Sequence, residues 1–190
     1  MPAPPLIPTP RLTLTWPTPA QIDGYHDAII GTDIFDTLIW DGPTNPDDLH
    51  DYWTRSIRTP VDDLTEHLNL AVIERVSGLM IGGISWRPVN NNPAIIDIGY
   101  AFAKGWHGHG YATETVGALT DHGFRTREAE RVFATVFIGN IASRRVLEKC
   151  GYAFEGTLRR AVCKRGRWLD EWMLAITRPM WQARSQLHSP

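Results

Sequence analysis

An apolar run that ends in a glycine turn and resumes with helical spacing dominates this sequence. The run is AIIDIGYAF, residues 94–102, rich in isoleucine and aromatics and bounded by Pro93 and Gly105, so it reads as a buried strand. KGWHGHGYATET, residues 104–115, follows, and Ala112, Val116, Leu119 and Gly123 then recur at i, i+4, i+7 and i+11 on one helical face. The order strand, glycine turn, helix puts a helix N-terminus at the turn. Such a terminus leaves its first N–H groups without helical partners and carries partial positive charge, and Gly108 and Gly110 let an anion approach those groups closely. A phosphate is the expected ligand, although G-x-G alone fits a plain tight turn equally well.

The 190 residues, 43% hydrophobic and 21% charged, suffice for one substantial core, expected over residues 11–182 between a leader (1–10) and a tail (183–190). Nothing approaches the run of ~20 apolar residues that spans a bilayer, and MPAPPLIPTP lacks a basic segment followed by an apolar block; a cytoplasmic protein without membrane association is expected. Cys150 and Cys163 have no paired spacing, so neither a disulfide nor a structural zinc is expected. Charge is uneven. Residues 1–95 carry five Arg against twelve acids (−7), and residues 96–190 carry fourteen Lys or Arg against nine acids (+5). A basic C-terminal half suits an anionic cofactor and an acidic N-terminal half a cationic substrate, or both are solvated surface.

Prolines at 2, 4, 5, 8 and 10 predict an extended, mobile leader. RLTLTW (11–16) alternates as a strand. Thr18-Pro19 opens a helix to about Gly31, and Asn45-Pro46, reinforced by Asp47 and Asp48, opens another to about Arg58. Residues 67–76 and 79–86, parted by Ser77-Gly78, read as an antiparallel hairpin, and NNNP then turns the chain into the central strand. After the central helix, RVFATVF (131–137) is a strand parallel to it. Asn140 caps a helix ended by Gly151, and a hairpin of strands 152–162 and 168–176 around KRGR precedes a short helix after Pro179. The result is a mixed α/β sheet of about seven mostly antiparallel strands with one parallel crossing and about four helices.

Three ordered pieces resemble the GNAT superfamily of N-acetyltransferases, in particular its ribosomal-protein N-terminal acetyltransferase branch. IDIGYAFAKGWHGHGYATET (96–115) is similar to the family's core strand, pyrophosphate loop and helix start. Asn140, Ser143, Glu148, Lys149, Gly151 and Tyr152 match the branch signature N-x-x-S-x-x-x-x-E-K-x-G-[FY]. Gly156, Arg159, Gly166 and Asp170 resemble its C-terminal hairpin with a buried aspartate. The resemblance implies acetyl-CoA as co-substrate, its phosphates on the N–H groups of about His107, Gly108, His109, Gly110, Tyr111 and Ala112. It also implies a splay between the strand from Ile98 to Phe102 and its parallel neighbour, with the pantetheine arm in the gap and the thioester oxygen near the Phe102 N–H. The superfamily usually carries Gln or Arg where this chain has Gly105, so contacts fall to backbone, aided by Lys104.

The implied reaction is direct attack of a neutral amine on the thioester, which calls for a base. Asp97 is the first choice because it occupies a strand position where the family often carries Glu; the alternative is a surface aspartate pointing away. Many relatives supply an acid Tyr where this chain has Leu147, which leaves Ser143 to protonate the thiolate, or else to bond its own backbone. Asn140 caps the helix and can also touch pantetheine. Cys150 reads as packing, and His107 and His109 lack a third ligand for a metal. The six aspartates between positions 33 and 51 would attract a cationic amine, or simply cap helices; Trp40 and Trp53 lie in this acceptor region. The acceptor is a ribosomal or other protein N-terminus or a small cationic amine, nucleic-acid binding is not expected, and a homodimer through the hairpin or a sheet edge is conceivable. A non-catalytic acyl-CoA sensor on the same fold is the alternative. A dinucleotide fold is disfavoured by the missing third glycine and ribose-binding acid.

Overall fold

The computed structural model describes residues 4–45, 47–57, 67–90 and 92–187. The expected helix-opening proline at 46, the end of that helix at Arg58, the first three leader residues, part of the NNNP turn and the last three tail residues lie outside the described residues. In order come β1 (Ile7–Pro8), β2 (Leu12–Thr15), α1 (Pro19–Ile29), α2 (Asp47–Ile57), β3 (Leu68–Glu74), β4 (Met80–Val89) and β5 (Asn92–Phe102). They are followed by α3 (Tyr111–Thr126), β6 (Arg131–Phe137), α4 (Ile141–Lys149), β7 (Ala153–Lys164), β8 (Arg167–Thr177) and α5 (Arg178–Leu187). Single 3-10 turns occupy Asp33–Thr37 and Lys104–Trp106.

Among the described residues eight strands make one sheet in the order β1-β2-β3-β4-β5-β6-β8-β7, antiparallel except for β5–β6. The strand beyond the expected seven is β1, drawn from the leader predicted to be mobile. Thr9 explains it: its N–H and hydroxyl both donate to the Leu12 carbonyl, and the Leu12 N–H donates back to the hydroxyl, folding the leader onto β2. Pro8 is tolerated because an edge strand needs no N–H on its outer side. The described residues also form five helices; the last, α5, is the short helix expected after Pro179, begun at Arg178 and docked by Trp181, whose ring stacks on Phe124 and whose indole N–H donates to Asp121 at 2.6 Å.

Local chemistry sets the helix ends. Thr18 and Gln21 close a reciprocal capping box on α1, Asn45 and Asp48 exchange hydrogen bonds at the start of α2, and Asn140 accepts from the Ser143 N–H on α4. Both sheet faces are covered. Leu12, Leu14, Leu70, Trp86, Ile96, Ile98, Leu174 and Ile176 pack with Val116 and Leu119 of α3 and Leu147 of α4. On the opposite face Ala71, Ile73 and Met80 meet Ile22 and Tyr25 of α1 and Leu49 and Trp53 of α2. Since β-strand neighbours point to opposite faces, the even-numbered residues of β5 look toward α3 and α4, and Asp97, Gly99 and Ala101 toward α1 and α2. No described helix is long and apolar enough to cross a membrane.

Candidate active site

The site begins where the parallel pair comes apart. β5 and β6 pair at Ile95–Arg131, Ile96–Val132 and Asp97–Phe133, and there the ladder stops, although the strands run on to Phe102 and Phe137. β4 holds the far edge of β5 and β8 the far edge of β6, so the separation leaves a slot within the sheet rather than a frayed end. Backbone groups from Ile98 onward therefore face a gap. The Ala103 N–H donates to the Ile81 carbonyl on the β4 side, and strand alternation turns the N–H and C=O of Phe102 toward the slot. A cavity of about 1600 Å³ runs through it, lined from both sheet faces.

At the mouth of the slot stands the N-terminus of α3. Gly108 and Gly110 have φ of +81° and +80°, a region costly for any residue with a Cβ, and Gly110 is the residue from which α3 starts. The Glu114 N–H makes the helix's bond to the Gly110 carbonyl, so the N–H groups of Tyr111, Ala112 and Thr113 have no intrahelical acceptor. Expectation and structure part at His107. Its N–H closes the 3-10 turn onto the Lys104 carbonyl, and its Nε2 donates to the Phe102 carbonyl at 2.8 Å; it buttresses the loop instead of offering an amide. Lys104 reaches away from the loop to Asp33 at 3.0 Å, and the ring of His109 stacks on Tyr111 outside the cavity lining. The cation that does meet the loop is Arg11 on the turn before β2. Its Nη1 donates to the His109 carbonyl at 2.9 Å, its Nε pairs with Glu114 at 2.7 Å, and its guanidinium lies 4.5 Å from the Tyr111 ring centre. Burial works against charge on Glu114, but donors from Thr9 and Arg11 outweigh it and hold that carboxyl below its usual range.

Deeper in, Ser143 of α4 faces Tyr100 of β5. Their hydroxyls are 2.8 Å apart, and Tyr100 Oη also lies 3.1 Å from the Ser143 carbonyl. Burial pushes the Tyr100 phenol well above its usual range, so it remains a proton donor. Asn140 fixes this geometry through its 3.1 Å bond to the Ser143 N–H. Leu147 is fully buried, and Cys150 is a buried thiol pushed up to about 11 by desolvation that donates to the Thr113 carbonyl, tying α4 to α3. Neither is placed for chemistry.

On the α1/α2 face the cavity is walled by aromatics. Phe35 meets Trp40 edge-on at 5.5 Å, Trp40 lies nearly parallel to Tyr52 at 6.4 Å, and Tyr52 meets Trp53 edge-on at 5.4 Å. Four of the six aspartates expected to draw in a cation are already engaged. Asp33 pairs with Lys104, Asp36 with Arg165, Asp41 with Lys164 and Arg165, and Asp48 accepts from Thr44 and Asn45. Asp97 lines the same wall, in an ion pair with Arg87 at 2.7 Å; burial raises its carboxyl and Arg87 partly opposes this. Glu171 of β8 also lines it, raised by burial and by the negative charge of Asp97, with a hydrogen bond from Thr135 in opposition.

The slot thus gathers Asp97, Phe102, Lys104, His107, Gly108, Gly110, Tyr111, Ala112, Asn140 and Ser143 around one cavity. Arg11, Arg87, Tyr100, Thr135 and Glu171 did not emerge from the sequence, since each acts through a partner distant along the chain. Arg11 alone left a trace, as the only charge in an otherwise uncharged strand pattern. Among the described residues no cluster of three or more His, Cys, Asp or Glu could hold a metal.

A family model described as an acetyltransferase (GNAT) domain matches residues 11–153. The uncharacterized N-acetyltransferase YnaD of Bacillus subtilis (strain 168) is 34% identical over 85 residues, 45% of this chain and 50% of that protein. YoaA of the same organism, an uncharacterized N-acetyltransferase, is 30% identical over 100 residues, 53% of this chain and 56% of that protein. The match spans about half the length of these curated relatives. Among solved structures, a GNAT-family acetyltransferase from Bacillus anthracis superposes with a TM-score of 0.81 at 22% identity, covering 92% of this chain and 99% of that one. RimL, a ribosomal alpha-N-protein acetyltransferase in complex with coenzyme A, gives 0.79 at 19% identity over 91% of this chain and 98% of its own. At these identities the superpositions speak to fold.

Proposed function

The chain belongs to the GNAT acetyltransferase family, and on that footing we propose that it moves the acetyl group of acetyl-CoA to a primary amine by direct attack in a ternary complex. The observation that carries this reading is the slot itself: an unpaired strand edge from Ile98 to Phe102 leading from a helix N-terminus with free N–H groups to a hydroxyl pair. A diphosphate suits the amides of Gly110, Tyr111, Ala112 and Thr113, where backbone dipoles and left-handed glycines favour an anion. An extended amide-bearing arm suits the free edge of β5, which offers a strand's donors and acceptors without a strand. The Phe102 N–H, turned into the slot, is suited to polarise the thioester carbonyl.

The amine enters from the α1/α2 face. It reaches the active site as an ammonium ion and must lose a proton to a carboxylate on that side, where Asp97 and Glu171 stand. When the C–S bond breaks, Ser143 Oγ donates toward the sulfur and is backed by the Tyr100 hydroxyl at 2.8 Å. The acceptor is a protein N-terminal amine or a small amine next to an apolar or flat group. The protein option draws support from the likeness to RimL, and the apolar neighbour from the exposed faces of Trp40 and Tyr52. With most nearby aspartates engaged, a polycation gains little here. A cytoplasmic setting, where acetyl-CoA is available, and a catalytic domain over residues 11–182 complete the proposal.

Release of free thiol from acetyl-CoA in the presence of a panel of amines and peptides tests it. Turnover with one class of amine is the expected result. Tight coenzyme A binding with no turnover across the panel would instead identify a sensor.

A further inference from the structure

Two carboxylates share the acceptor wall, and the strand registers rank them. Asp97 is level with Phe133 on β6, at the closed end of the slot. Glu171 pairs with Phe137 on β6, four residues further along. Phe133 and Phe137 lie on one face of that strand, and paired residues share a face, so Asp97 and Glu171 do too. Carrying the parallel register forward from Asp97 brings Ala101 level with Phe137. Glu171 is therefore offset about 13 Å along β6 from the rung at Asp97, toward the open end of the slot and the start of the helix that holds Ser143, although the two carboxyls line one cavity and still act on each other. Their partners differ as well. Asp97 is held by the Arg87 guanidinium, while Glu171 takes its hydrogen bond from the neutral Thr135 hydroxyl.

Resting on the acetyl-transfer reading above, we infer that Glu171, and not Asp97, accepts the proton of the incoming ammonium ion, while Asp97 stays a fixed, Arg87-bound charge at the closed end. The groups that act on this pair are Arg87 on β4 and, beside Asp97, His67 before β3; β6 adds the Thr135 hydroxyl beside Glu171 and, further back on the same face, Arg131, which is paired with Glu155. Burial and the Asp97 charge both raise Glu171, which brings it closer to the pH at which a carboxylate serves well as a base. The step balances simply. One ammonium proton passes to Glu171 and on to solvent, the nitrogen lone pair forms the N–C bond, the C–S bond breaks with its electron pair on sulfur, and a second nitrogen proton ends on sulfur through Ser143.

The test is the pH dependence of kcat at saturating acetyl-CoA and amine, in wild type, E171Q, E171D, D97N and T135V, with coenzyme A affinity measured alongside by calorimetry. Glu171 must be ionised to act, so kcat falls as pH drops through its pKa. E171Q is expected to lose that acid limb and about 100-fold or more in kcat while keeping coenzyme A affinity. E171D should keep the limb at a reduced rate, and D97N should keep it too. T135V removes a donor to the carboxylate, raises its pKa and moves the limb to higher pH. Should E171Q fail to bind coenzyme A, the T135V shift decides. An unchanged limb in E171Q or T135V, or its loss in D97N, overturns the inference while leaving acetyl transfer intact. Absence of wild-type turnover with any amine overturns both.

Discussion

Ser143 and Tyr100 are a single unit in this site. In the proposed transfer the serine hydroxyl serves the sulfur, and the tyrosine acts through the serine, 2.8 Å away. Changing Ser143→Ala is expected to lower kcat about 100-fold, the lower end of what general acid–base groups contribute. Tyr100→Phe should cost about 5-fold, the value of a net hydrogen bond near 1 kcal/mol. Because the two act in series, the double variant should be no slower than Ser143→Ala; steady-state kinetics on the four forms would expose additive losses if the hydroxyls work separately. Ser143 and Asn140 could be read from their spacing in a motif. Tyr100 could not, since nothing in IDIGYAF says that its ring meets a helix 43 residues later.

Among the elements, α3 is the most tightly fitted. Gly123 sits where the helix crosses β4, and a Cβ there would fall 1.8 Å from the Trp86 ring, which is itself fully buried. In an open helix Gly→Ala gains ~1 kcal/mol. Here overpacking against an indole with no room to move costs ~3 kcal/mol, so the clash wins. Gly123→Ala should lower Tm by roughly 4–8 °C, read by differential scanning calorimetry; an unchanged or higher Tm would mean the helix slides freely over the sheet. The elements were largely legible in the sequence because capping residues, glycines and β-branched runs act over a few positions. Thr18, Asn140 and Gly110 each marked an end that the structure keeps. β1 was missed because five prolines mask a hairpin made by one threonine hydroxyl. Glu171 was out of reach because its place depends on which strand lies level with which, and His107 because the 3-10 turn at Lys104–Trp106 that swings its ring back onto the Phe102 carbonyl has no clear signature in KGWH.

Over the whole molecule, the loop carrying Asp36 and Asp41 and the C-terminal hairpin are clasped by ions. Lys164, only 6% exposed in its side chain, pairs with Asp41 at 2.6 Å, and Arg165 pairs with Asp41 and Asp36. Asp41 is held below its usual range, first by the hydrogen bond from Lys164. This clasp sets the position of Trp40 against Tyr52 without touching α3 or the glycine turn. Lys164→Met is therefore expected to raise KM for the amine severalfold and leave KM for acetyl-CoA within twofold; a matching rise in both would show that the clasp supports the entire sheet.

The halted β5–β6 ladder carries one more consequence. Half of the sheet, β1 to β5, is stitched to the other half, β6 to β8, by three register pairs, and from Ile98 on by side-chain packing and the Tyr100–Ser143 contact with no backbone ladder. An inserted pantetheine chain would serve as a borrowed rung, so that the two halves melt as one body when coenzyme A is bound and more nearly as two when it is absent. Amide hydrogen exchange along residues 98–102 should slow on adding coenzyme A, together with a sharper thermal transition. On the proposed reading, the sheet becomes one solid only when its co-substrate fills the missing rungs.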